Sequence, residues 1–114
     1  MKNLFSTILL FFSVLFLVNN SFAQKGYNIE VEIDNFSGSE LYLGYYLFDK
    51  QYIKDTVTAT RPGIFVFSDD EPLPGGVYLV VLPPENSFFE IAVVEDEQHF
   101  KVYTDAEDLY GSLS

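Results

Sequence analysis

The chain has no cysteine and no tryptophan, and among its 114 residues there is one methionine and one histidine. Without cysteine there is no disulfide staple, no thiol redox catalysis, no cysteine-based zinc site and no lipid attached to a cysteine. Positive charge is scarce too: 6 Lys and Arg stand against 17 Asp and Glu, a net −11. A surface of that sign repels phosphate, so nucleic acid is excluded as a partner. Hydrophobic residues make up 48% and aromatics 18%. That is too apolar and too aromatic for a disordered acidic tail, and the length suits one domain.

The apolar residues fall into two patterns. Lys2 precedes an apolar run from Leu4 to Val18, interrupted only by Ser6, Thr7 and Ser13, and Ser21-Phe22-Ala23 follows. A basic start, a short apolar run and a small-x-small site describe an export signal, expected as a helix over residues 1–23 and cut between Ala23 and Gln24. The run is shorter than the about 20 residues a membrane span needs, so no span is expected after cleavage. Losing Lys2 leaves residues 24–114 more acidic still. A domain of this size buries only about 60–65% of its unfolded surface. All 8 Tyr lie in this part, and large aromatics are the expected substitute for disulfides.

Residues 24–114 read as strands. Tyr27, Ile29, Val31 and Ile33 alternate with Asn28, Glu30, Glu32 and Asp34, the period of a half-buried strand. Further strands are expected over 41–48, 52–58, 64–67, 77–82, 88–94 and 99–104, with turn residues such as Asp49-Lys50, Arg61-Pro62-Gly63 and Pro83-Pro84 between them. The longest loop runs from Ser68 to Gly76. The one possible helix start is Asp105, and residues 105–114 read as a tail or the start of a linker. The expectation is an all-β, antiparallel sandwich or partly open barrel of about seven strands, preceded by the signal-peptide helix. Ile29, Val31, Ile33, Leu43, Phe65, Phe67, Leu79, Val81, Phe89, Ile91, Phe100 and Val102 are the expected core.

Two strands break the alternation. Leu41 to Phe48 and Val77 to Leu82 are apolar on both sides, although the outer face of a sandwich is ordinarily polar. Tyr42, Tyr46 and Phe48 share one side of the first, with Gly44 leaving a gap. Together with Tyr78, they are the candidate ligand or partner contacts, and Tyr78, Val80 and Leu82 are expected opposite the core.

No catalytic constellation competes with this reading. Glu30 and Glu32 lie about 6.6 Å apart on one strand face, near the carboxyl spacing of an inverting glycosidase, but neighbours on a strand do not face each other across a cleft. Asp69-Asp70-Glu71 and Glu95-Asp96-Glu97 lack the alternating ligands and central Gly of a calcium loop, so no metal site is assigned and the loops are read as solvated turns. His99 has no Gly-x-Ser-x-Gly nucleophile to serve. Asp55-Thr56-Val57 resembles half an aspartic-protease motif without its glycine or its second copy. The same Asp-Thr-aliphatic triplet is a form that carries O-glycans in some envelope bacteria. No catalytic residue and no cofactor are expected.

From Gly26 to about Asp105 the order and spacing of Leu41-Tyr42-Leu43-Gly44-Tyr45, residues 49–56 (Asp49 to Thr56), Gly63-Ile64-Phe65-Val66-Phe67, Pro74-Gly75-Gly76-Val77-Tyr78 and Gln98-His99-Phe100 resemble one family. It is the β-rich domain of unknown function at the N-terminus of exported thioredoxin-like proteins of Gram-negative envelopes. Those proteins are similar to alkyl hydroperoxide reductase/thiol-specific antioxidant and thiol–disulfide interchange proteins. The resemblance implies a periplasmic location, an all-β fold and a thioredoxin-like domain or protein as partner, in cis or in trans. It implies no catalytic residue in this domain. Two functions follow as expectations: a non-catalytic accessory domain, or the N-terminal part of a thiol–disulfide oxidoreductase whose catalytic domain lies outside this chain.

Overall fold

A computed structural model describes residues 25–114; the expected signal peptide lies outside the described residues. Seven strands follow one another: β1 (Tyr27–Asp34), β2 (Glu40–Leu47), β3 (Lys50–Thr58), β4 (Ile64–Asp69), β5 (Gly76–Leu82), β6 (Ser87–Val93) and β7 (His99–Asp105). They form a three-stranded sheet, β4-β1-β7, and a four-stranded sheet, β3-β2-β5-β6. The two pack face to face around one core, so the all-β sandwich is the fold and no barrel closes. Among the described residues there is no helix; Asp105 opens a turn instead.

Strand alternation builds the core. Ile29, Val31 and Ile33 of β1 are buried against Phe65 and Phe67 of β4. Opposite them lie Leu41 and Leu43 of β2, Tyr78, Val80 and Leu82 of β5, and Phe89, Ile91 and Val93 of β6. One ladder departs from the antiparallel expectation: β1 and β7 run parallel, with Ile29 opposite Phe100 and Val31 opposite Val102. Alternation gives a strand its faces and says nothing of its direction. A parallel pair needs a long crossover, and the chain between β1 and β7 supplies it by building the other sheet.

β5 corrects the sequence expectation. Tyr78, Val80 and Leu82 point into the core, Leu79 is buried on the opposite face and Val81 there is half-buried. A strand apolar on both sides carries no parity signal, and a one-residue slip exchanges its faces. Phe100 is likewise half-buried rather than buried.

Two irregular segments complete the core. Leu73 of the β4–β5 loop is buried because the Gln98 side chain holds it: the Leu73 N–H donates to Gln98 Oε1 (2.8 Å), and Gln98 Nε2 donates to the Leu73 carbonyl (2.8 Å) and to the Val94 carbonyl (3.0 Å). The segment after β7 folds back along it. Tyr103 and Ser114 exchange backbone hydrogen bonds of 2.8 and 2.9 Å. Buried Thr104 donates its hydroxyl to the Leu109 carbonyl at 2.8 Å. Ala106, Leu109 and Leu113 pack against the core, so residues 106–114 are part of the domain. Among the described residues no helix is long and apolar enough to cross a membrane.

Candidate functional site

The two outer faces of the sandwich differ in kind. On the three-stranded sheet, β1 presents Asn28, Glu30, Glu32 and Asp34 beside Lys101 and Tyr103 of β7. Lys101 pairs with Glu30 at 3.3 Å, and the Tyr103 hydroxyl donates to Asp34 Oδ2 at 2.8 Å. That bond holds the Tyr103 phenol above its ordinary pKa. This is a solvated strand face, and Glu30 and Glu32 belong to it.

The four-stranded sheet is apolar on its outer side. Its registers set three rows across β3, β2, β5 and β6: Thr56, Tyr42, Val81, Phe88; then Ile53, Gly44, Leu79, Glu90; then Gln51, Tyr46, Val77, Ala92. In the last row Tyr46 and Val77 lie one position beyond the final β2–β5 pair. Only Glu90 of these twelve positions is charged. Gly44 sits near the middle with no side chain to project. The result is a recess of about 280 Å³ with Gly44 and buried Leu79 at its base and Tyr42, Ile53, Val81, Phe88, Gln51 and Asn86 around it. A β-carbon at residue 44 would stand 3.0 Å from the Tyr52 carbonyl oxygen and 3.6 Å from Leu79 Cδ1. The register of β3 shifts at the same place, leaving Lys54 without a partner on β2, a β-bulge that bends the strand. Tyr42, Gly44 and Tyr46 are thus brought together as their spacing implied. Tyr46, Ile53 and Val77 stand out from this face, 41%, 63% and 48% exposed.

The other two candidate residues lie elsewhere. Phe48 is not on the strand: with Asp49 it forms the two-residue turn between Leu47 and Lys50. It has φ 59° and is 95% exposed. Tyr78 is not on the outer face. It is buried in the core with its hydroxyl donating to the Pro74 carbonyl at 2.6 Å, and burial raises its pKa. Ile53, Val77, Leu79, Val81 and Phe88 are apolar outer-face residues the sequence missed. Alternation in β6, where Phe88 and Ala92 fall opposite Phe89, Ile91 and Val93, is a local signal that pointed to Phe88 alone.

The acidic loops meet at one end of the sandwich. Asp70, Glu95, Asp96 and Glu97 border a recess of about 390 Å³ together with Lys25 and His99. Among the described residues no group of three or more His, Asp or Glu side chains is placed to hold a metal ion, and His99 Nε2 is enclosed with no hydrogen-bond partner. Asp55 of the Asp-Thr-Val triplet accepts from the Tyr27 hydroxyl at 3.3 Å and, through Oδ1, from the Thr56 N–H at 2.8 Å. Burial first, and then the Asp55 charge, push the Tyr27 pKa up to about 12. These contacts fix a strand edge and include no nucleophile.

The outer face of the four-stranded sheet offers apolar surface, and each Å² of it that a contact covers is worth about 25 cal/mol. No curated protein and no solved structure matches the chain. A family does match over almost the whole described part, residues 27–113, under the description Domain of unknown function (DUF4369). The sandwich is thus a member of the DUF4369 family of domains of unknown function.

Proposed function

We propose that this is a non-catalytic accessory domain of the periplasm that docks a thioredoxin-like domain or protein through the outer face of its four-stranded sheet. The contrast between the two outer faces carries the reading: one is laced with charge, the other has a single charged position in twelve. The export signal and the resemblance of residues 26–105 to the N-terminal domain of exported thioredoxin-like proteins support the compartment and the kind of partner. With no cysteine in the chain, any thiol chemistry belongs to that partner.

The test separates face from core. Ile53→Ser and Tyr46→Ser together are expected to leave the urea midpoint nearly unchanged and to weaken association with a purified periplasmic thioredoxin-like protein, read by calorimetry. Tyr78→Ser is expected to lower the midpoint sharply, since truncating a buried aromatic costs about 3–5 kcal/mol. Undiminished association of the Ile53/Tyr46 variant would end the docking reading.

A further inference from the structure

We propose that Thr56 of the Asp55-Thr56-Val57 triplet is an O-glycosylation site whose glycan projects from the β3 edge of the sandwich. The proposal rests on the export that places the domain in the periplasm, and it is independent of what docks on the four-stranded sheet.

The sequence singles the residue out. Thr56 is the one Ser or Thr in the chain that directly follows an Asp, and the aliphatic Val57 comes next. That is the triplet form that carries O-glycans in some envelope bacteria.

The fold decides whether the triplet can bear a bulky group. Along a strand, neighbouring side chains go to opposite faces. Asp55 and Val57 turn toward the facing sheet: Asp55 Oδ2 accepts from the Tyr27 hydroxyl of β1 at 3.3 Å, and Val57 packs against the core. Thr56 turns outward and is exposed, opposite Tyr42 of β2. Among the described residues β3 is hydrogen-bonded to β2 alone, so Thr56 stands on an edge strand. Its N–H donates to Asp55 Oδ1 at 2.8 Å, a bond that engages the backbone and not the hydroxyl. A glycan on this hydroxyl therefore displaces no core contact and no ladder bond. With the alternation shifted by one residue, the same group would have to enter the core.

The position also spares the recess at Gly44, which Thr56 does not border. Bulk on β3 adds to the charged bulge at Lys54 in keeping another strand from pairing there.

The transfer takes a glycan joined through its C1 to a lipid-linked diphosphate. The Thr56 Oγ attacks C1, so that the Oγ–C1 bond forms as the bond from C1 to the phosphate oxygen breaks. The diphosphate leaves with the electron pair, and the hydroxyl proton passes to a base of the transferase. Nothing is oxidised or reduced. Because Val57 is packed in the finished domain, the transferase reads the triplet on the newly exported chain, before β3 joins the sheet.

Mass spectrometry of the protein from fractionated cells of the bacterium that encodes it is the test. The expected result is a periplasmic chain heavier than its sequence by the mass of a glycan, with electron-transfer fragmentation locating the excess on Thr56. Thr56→Ala and Asp55→Asn, expressed in the same bacterium, are each expected to lose the excess, and Thr56→Ser to keep it. Asn retains an acceptor oxygen for Tyr27 and Thr56, and circular dichroism checks that the fold is kept. Thr58→Ala is the matched control: Thr58 is exposed on the same face of the same strand but follows Val57, and the excess should survive its loss. A bare Thr56, an excess on Thr58 or Thr60 instead, or a glycan that persists in Asp55→Asn would each overturn the proposal. The same spectra read the N-terminus. A start at Gln24 with Thr56 bare overturns the glycan and leaves the export standing, whereas a bare chain that starts at Met1 in the cytoplasm overturns both.

Discussion

Phe48 holds a backbone conformation that its side chain does not favour. At φ 59° its β-carbon crowds the carbonyl, a cost of roughly 1–2 kcal/mol that Asn or Gly largely escapes. Its ring is almost wholly exposed and repays little of this by packing. Phe48→Asn is therefore expected to stabilise the domain by about 1 kcal/mol, seen as a higher urea midpoint; a lower midpoint would mean that the ring packs in solution. Gln98 is the opposite case, a buried polar side chain with both ends of its amide satisfied. Gln98→Leu strands the Leu73 N–H and two carbonyls. At about 1–3 kcal/mol for each buried unsatisfied group, it should lower the midpoint by more than substitution of the exposed Tyr46 or Ile53 does. A midpoint within error of the original would show that water replaces the amide.

At the scale of elements, the strand edges are managed in two ways. β3 stays an edge: Lys54 stands unpaired at its bulge, and a charged bulge discourages another strand from adding there. β7 is closed by the chain itself, through the Tyr103–Ser114 pair and the Thr104 hydroxyl that fastens Leu109. Thr104→Val keeps the shape and removes that bond. The Tyr103 amide, which donates to Ser114, should then exchange with deuterium faster, while the Val31 amide in the middle of the sheet holds its protection, because the opening is local. Equal acceleration at both would show instead that residues 106–114 and the sandwich unfold as one unit.

The whole molecule is an acidic sandwich with one bare apolar face, and its stability depends on keeping phenols neutral. Tyr27 is raised to about 12, by burial and then by Asp55; Tyr78 is raised by burial and Tyr103 by its bond to Asp34. The unfolded chain ionises these groups near pH 10 while the folded chain does not. Their contribution is complete below pH 10 and is lost as pH rises toward about 12. Urea midpoints are therefore expected to fall across that window, and Tyr27→Phe, which has no proton to lose, should fall less steeply. Parallel curves for the two would assign the alkaline loss to other groups. On the acid side, Asp105 is held below its ordinary pKa by the Glu107 N–H and then by Asn35, so its contribution is lost as pH drops through that lowered value.

Sequence alone determined the strands, because alternation such as Tyr27 to Asp34 is imposed by the pleat and needs no partner to be visible. It also determined the absence of thiol chemistry, which is a matter of composition. The grouping of Tyr42, Gly44 and Tyr46 on one face was legible for the same reason, since i, i+2 and i+4 on a strand share a side. Only the tertiary structure decided that β1 and β7 run parallel, because direction is set by where the crossover passes. It alone decided which side of β5 is core, because Val77 to Leu82 is apolar on both sides and the choice falls to the register with β2 and β6. Tyr78 went inward and Leu79 outward on that choice, and with Leu79 came the base of the recess at Gly44.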